Sequence, residues 1–207
     1  MLEHKILMQA PCEYPRPALF LDRDGVLIED KHYLCRPEDV SLCLGAHLLL
    51  EYAALQNWPV VIVTNQSGVS RGLYGWDVYT DVTNRMLELL GPSAPISALY
   101  ASGHGPKALP SSWRKPSPAM LATAASDLNL DLSRSLLAGD RLTDLKAGAS
   151  AGLKSLAHVL TGHGAKERSS VMNWVANVYT HSGSSISLDV RLIDTLCEFP
   201  FDCLTYH

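Results

Sequence analysis

The chain lacks the paired cysteines of a disulfide framework. Its five, Cys12, Cys35, Cys43, Cys197 and Cys203, are odd in number and form no CxxC pair, which fits reduced thiols and a cytoplasmic setting. No apolar run is long enough to span a bilayer. The opening MLEHKILMQAPC places Glu3 and His4 before a short apolar run, without the basic start and long apolar stretch of a signal peptide. Basic charge is also scarce, with 17 Lys and Arg against 21 Asp and Glu, so a long nucleic-acid footprint is not expected. Repeats and low-complexity tracts are missing too.

What remains is a chain of 207 residues, 47% hydrophobic, enough for one well-covered core and one domain. Short β-rich runs (18–21, 59–63, 96–100, 135–138 and 153–157) alternate with helical patterns (46–56, 76–90, 118–129 and 142–151). That alternation predicts an α/β fold with a mainly parallel sheet. The expected core covers about 18–165. The extension, 166–207, holds a helix around 170–178, a Ser/Gly turn at 182–185 and a last apolar segment to Phe199.

In such sheets functional groups gather where strands end. Four pieces sit there or in loops: DRDGV at 22–26, TNQSGVSRG at 64–72, RKP at 114–116 and GDRLTD at 139–144. Singly, DRDG reads as a turn and GDRLTD as a helix cap. Together and in order, they resemble the haloacid dehalogenase-like (HAD) superfamily of aspartate-nucleophile phosphatases. The resemblance implies a Rossmann-like three-layer sandwich. The 42-residue step from Asp22 to Thr64 and the 51-residue step from Thr64 to Lys115 leave no room for a separate cap domain.

The chemistry suits the residue types. Phosphate esters repel nucleophiles, so a site must neutralise charge and hold the attacking atom in line. The resemblance implies Asp22 as nucleophile, forming an aspartyl-phosphate, and Asp24 as general acid and then base. It implies Mg2+ held by the Asp22 side chain, the Asp24 carbonyl and Asp140, with Asp144 supporting them from behind. Thr64, Asn65, Gln66 and Ser67 would cradle phosphoryl oxygens, and Lys115 would neutralise both nucleophile and phosphate.

TNQSGVSRG, RKP and LTGHG at 160–164 are similar to the subfamily of heptose-bisphosphate and histidinol-phosphate phosphatases. There a loop like Asp-x-Gly-Tyr contacts substrate; here it is Asp30, Lys31, His32 and Tyr33, with His32 in place of glycine. Arg114 matches an arginine that contacts a distal substrate group, and Arg141 stands where the heptose enzymes usually have lysine. Many members carry zinc on the loop before RKP. This loop has no cysteine, and Ala101, Gly103, Ser111 and Trp113 are the nearest matches to the ligand positions. No structural zinc is therefore expected, and Trp113 is expected to anchor the loop by burying its ring.

The expected function is removal of the 7-phosphate from D-glycero-D-manno-heptose 1,7-bisphosphate, feeding surface-glycan precursors such as lipopolysaccharide or capsule. Histidinol-phosphate hydrolysis and non-catalytic phosphosugar binding are the alternatives. The expected partner is a small phosphorylated sugar, with neither nucleic acid nor membrane, and the expected state is a monomer with a dimer left open. Outside the motifs, His47 and the stripe Leu48, Leu49, Tyr52 and Leu55 read as core. His104, His158 and His163 read as loop or surface.

Overall fold

A computed structural model describes residues 1–181 and 188–204. One seven-stranded sheet organises them. In chain order its strands are β1 (Glu3–Leu7), β2 (Leu19–Leu21), β3 (Val60–Asn65), β4 (Ile96–Ser102), β5 (Leu136–Gly139), β6 (Ser155–His158) and β7 (Asp189–Leu192). The spatial order is β1-β4-β3-β2-β5-β6-β7, parallel throughout except for the antiparallel β1–β4 edge. The helices are α1 (Ala46–Leu55), α2 (Trp76–Leu90), α3 (Ala119–Leu128), α4 (Leu142–Ser150) and α5 (Gly164–His181).

The inner strands are apolar because both faces are covered. Leu19, Leu21, Val60 and Ile62 pack with α1 and α2 on one face. Phe20, Val61 and Val63 alternate to the other face, against α3, α4 and α5. This is a three-layer sandwich. Asp22 to Thr64 contains a 3-10 turn and α1, and Thr64 to Lys115 contains α2 and β4, so neither step holds an inserted domain.

Two strands escape the sequence pattern. Segments EHKIL and DVRL are charged and half exposed, as edge strands commonly are, and they place sheet strands on both sides of 18–165. The apolar tail packs on the body: Phe199 and Leu204 are buried, and Phe201 meets Tyr52 at 5.1 Å between rings. The 182–185 turn lies outside the described residues.

The inward face of α1 also differs from expectation. Ala46, Leu49, Leu50 and Ala53 are buried, whereas His47, Leu48 and Leu55 are exposed and Tyr52 is half buried. The i, i+3, i+4, i+7 set is rotated from the expected stripe, because small Ala46 and Ala53 make the close approach to the core.

Candidate active site

Strands β2, β3 and β5 are neighbours, so their carboxyl ends deliver three of the four motifs to one place. Asp22 follows β2, and its amide donates to the Ala138 carbonyl of β5. Thr64 ends β3 together with Asn65, and Asp140 follows β5. The fourth motif arrives from the loop after β4. Asn65 receives it in a two-point grip: its Nδ2 donates to the Lys115 carbonyl at 3.2 Å, and its Oδ1 accepts from the Lys115 amide at 3.0 Å. Asn65 therefore positions the lysine.

Lys115 is 1% exposed. Its Nζ lies 3.0 Å from Asp22 Oδ1, 2.8 Å from Asp144 Oδ1 and 2.8 Å from the Val63 carbonyl. Burial alone would lower its pKa, but Asp144 and Asp22 raise it. The lysine is thus held charged beneath Asp22. Asp144 also accepts from the Arg141 amide at 2.9 Å, closing the cap of α4. Both its oxygens are engaged.

Asp22, Asp140 and Asp144 bring carboxylate oxygens within 4.8 Å of one another. Burial first, and neighbouring carboxylates after it, push Asp22 up to about 7 and Asp140 up to about 8. Three carboxylates face one ammonium, an excess equal to the charge of one divalent cation. Among the described residues, Asp140 Oδ1 is buried without a hydrogen-bond partner, and Oδ2 accepts from the His163 amide at 2.7 Å. This donor set fits a hard cation such as Mg2+.

Two glycines make the fit possible. A Cβ on Gly25 would lie 2.4 Å from Asp140 Oδ2, and one on Gly162 would lie 2.3 Å from it. Both have positive φ, +84° and +57°. Neither position tolerates a side chain without moving Asp140.

Asp24 is held differently. Its carboxylate accepts from Arg23 Nε and Nη2, each at 3.1 Å, and from Gln66 Nε2 at 2.8 Å, with Thr64 Oγ1 at 3.5 Å. Gln66 Nε2 also donates to Thr64 Oγ1, and its Oε1 accepts from Tyr74. Arg23 is 1% exposed, reaches Thr83 Oγ1 and lies over the Tyr79 ring. Arg23 lies outside the residues expected from the sequence, although a cation between two aspartates at the end of an apolar strand is itself a signal.

A cavity of 420 Å³ opens over these groups. It is lined by Asp22, Asp24, Asp30, His32, Tyr33, Thr64, Asn65, Gln66, Ser67, Arg114, Lys115 and Arg141, all named from the sequence. Lys31 is the exception: its Nζ donates to the Asp39 carbonyl at 2.6 Å, away from the cavity. Asp140 stands behind the lining with its carboxylate against Gly25 and Gly162. Arg71, Tyr74 and His163 line the cavity as well and were not anticipated. Burial first, then Arg141 and Arg71, lower the pKa of Arg114, so three arginines stand close together.

The expectation for histidines needs correcting at His158, which is fully buried at the end of β6. Its Nδ1 lies 3.0 Å from Arg168 Nε and its Nε2 3.0 Å from the Asp140 carbonyl. Because arginine is only a donor, Nδ1 accepts and Nε2 carries the proton. His163 joins the site through a 2.9 Å contact of Nε2 with Asp30 Oδ2. On the loop before RKP, Trp113 is half buried against Tyr100, 5.5 Å between rings.

The chain is similar to known proteins. A model of the HAD-hydrolase-like family matches residues 112–180. The D-glycero-alpha-D-manno-heptose-1,7-bisphosphate 7-phosphatase of Campylobacter jejuni is 37% identical over 140 residues, 67% of this chain and 80% of that protein. The chain belongs to the HAD-like phosphatases. Its similarity extends to the D-glycero-beta-D-manno-heptose-1,7-bisphosphate 7-phosphatase of Mesorhizobium japonicum, 43% identical over 144 residues and covering 66% of each chain. Among solved structures, the D,D-heptose 1,7-bisphosphate phosphatase of B. bronchiseptica, complexed with magnesium and phosphate, superposes with a TM-score of 0.71. It is 27% identical, and the match covers 87% of this chain and 93% of that one. Among the described residues, no helix of this HAD-like phosphatase is long and apolar enough to cross a membrane.

Proposed function

We propose that this chain is a magnesium-dependent phosphomonoester hydrolase that removes the 7-phosphate of D-glycero-D-manno-heptose 1,7-bisphosphate. Asp22 Oδ1 is occupied by Lys115 and the Arg23 amide, which leaves Oδ2 to attack phosphorus. As the bond from Oδ2 forms and the bond to the leaving oxygen breaks, Asp24 gives that oxygen its proton. Asp24 then takes a proton from the water that attacks phosphorus and releases Asp22. Asp22, Asp140 and the Asp24 carbonyl would hold Mg2+, which neutralises phosphate charge when bound.

The observation that carries the substrate is the grouping of Arg71, Arg114 and Arg141 on the cavity that holds Asp22. Guanidinium groups suit a second phosphate. They disfavour the ammonium of histidinol phosphate. The proposed enzyme is a single domain acting as a monomer in the cytoplasm. It works without structural zinc, since Ala101, Gly103, Ser111 and Trp113 offer no ligand side chain there; elemental analysis after chelation is the check.

The test is phosphate release from the heptose bisphosphate, heptose 7-phosphate and histidinol phosphate, with magnesium and with EDTA. The bisphosphate should be preferred, and EDTA should abolish turnover. A preference for histidinol phosphate of more than about tenfold, roughly 1.4 kcal/mol, would overturn the substrate. Wild-type turnover by Asp22→Asn would overturn the nucleophile.

A further inference from the structure

The segment 103–113 contains neither helix nor strand, yet Arg114 at its end must be presented at a fixed place. Both ends of the segment meet one residue of β1. Strand pairing sets Glu3 opposite Ser102, where the loop begins, and the Gly103 amide donates to the Leu2 carbonyl at 2.7 Å. Glu3 Oε1 then lies 3.6 Å from His104 Nε2 and accepts from the Trp113 amide at 3.2 Å. Arg114 follows Trp113 directly, and its Nη1 donates to the His104 carbonyl at 2.9 Å.

Glu3 thus touches both supports of Arg114: the residue before it and the residue that accepts its guanidinium. The surroundings leave little slack. A Cβ on Gly103 would lie 3.0 Å from Trp76 and 3.2 Å from Val69, so the start of the loop is packed down. Trp76 Nε1 in turn donates to the Met1 carbonyl at 3.0 Å, fixing the beginning of β1 to the same patch.

We infer that Glu3 is a positioning residue for Arg114: the edge strand β1 braces the 103–113 loop and so sets the preference for a substrate with a second phosphate. This rests on the proposed role of Arg114. Nothing in the brace touches phosphorus or its attacking oxygen, so its effect belongs to binding of the distal group. A monophosphate without that group should feel it little.

The experiment compares wild type, Glu3→Ala, Glu3→Gln and Arg114→Ala, using the heptose bisphosphate and p-nitrophenyl phosphate with magnesium. The readout is the ratio of the two kcat/KM values. Arg114→Ala should lower the ratio at least about tenfold, as loss of a charged hydrogen bond does. Glu3→Ala should lower it about three- to tenfold, through KM for the bisphosphate. Glu3→Gln keeps an acceptor for the Trp113 amide and should recover most of that loss. A second readout is tryptic cleavage after exposed Lys107, which should quicken about threefold or more in Glu3→Ala as the loop loosens. If Arg114→Ala lowers the ratio and Glu3→Ala does not, the brace is refuted and the substrate reading stands. Equal losses on both substrates in Glu3→Ala refute it as well. An unchanged ratio in Arg114→Ala removes the substrate reading, and the inference with it.

Discussion

Arg23 grips both carboxylate oxygens of Asp24, Nε to Oδ2 and Nη2 to Oδ1, each at 3.1 Å. The guanidinium cannot slide, because Thr83 holds Nη1 and the Tyr79 ring lies 4.9 Å from its centre. The carboxylate proposed to pass protons is therefore fixed by a planar two-point contact. Lysine cannot reproduce it. Arg23→Lys should lower kcat about ten- to a hundredfold with little change in KM, a part of what general acid-base catalysis contributes. Steady-state kinetics on the bisphosphate check this, and an unchanged kcat would remove Arg23 from the machinery.

The buried carboxylates predict how stability changes with pH. In the metal-free fold, burial and mutual repulsion raise Asp22 from 3.8 to about 7 and Asp140 from 3.8 to about 8. The folded state then binds protons more tightly than the unfolded chain, so protonation favours folding. In EDTA, Tm should rise as pH falls from about 8 through 7, with the contribution complete near the unfolded value of 3.8. Magnesium keeps the carboxylates ionised and should flatten that trend while raising Tm at pH 8. Scanning calorimetry from pH 8.5 to 6 checks the sign. A Tm that falls on acidification in EDTA would contradict the charge balance drawn for this site.

The centre of the fold was legible because β2, β3 and β5 are buried on both faces and end abruptly in polar residues. Apolar runs closed by Asp22, Thr64 and Asp140 can be read without coordinates. The edges were not: Lys5 and Arg191 lie in strands whose exposed positions break the apolar pattern. His158 was missed because a buried histidine is recognisable only through its partners, and Arg168 comes from another element. Arg23 was missed for a similar reason. Strand alternation places it opposite Asp22 and Asp24, but the turn at Gly25 lets it fold back onto Asp24.

His32 and Tyr33 both adopt left-handed backbone, with φ of 53° and 60°. Asp30 holds the turn by accepting from the His32 amide at 2.9 Å. A non-glycine residue pays about 1–2 kcal/mol for this conformation, whereas glycine costs about 0.5–1 kcal/mol in chain entropy. His32→Gly should therefore stabilise the fold by a few tenths up to about 1 kcal/mol, offset in part by loss of the ring contact with Tyr33 at 4.8 Å. Urea denaturation measures it. Destabilisation beyond about 0.5 kcal/mol would mean that the histidine side chain contributes more than its backbone costs.

Lys115 separates charge balance from catalysis. Its ammonium is the cation among Asp22, Asp140 and Asp144, and it is buried with them. Lys115→Met leaves three carboxylates uncompensated, at a cost of about 3–5 kcal/mol in EDTA. Activity should fall by at least about a hundredfold, since the cation proposed to stabilise the transferring phosphoryl group is lost. Adding Asp144→Asn removes one of the stranded carboxylates, so the double variant should be more stable than Lys115→Met alone. The two sites are in contact, and their effects should not add. Turnover should not return, because the double variant restores the cluster's original net charge without restoring a cation next to Asp22. Recovery of stability without recovery of turnover is the expected pair of results, measured by urea denaturation and phosphate release on the same preparations. Recovery of both would show that Lys115 serves only to keep the carboxylates buried.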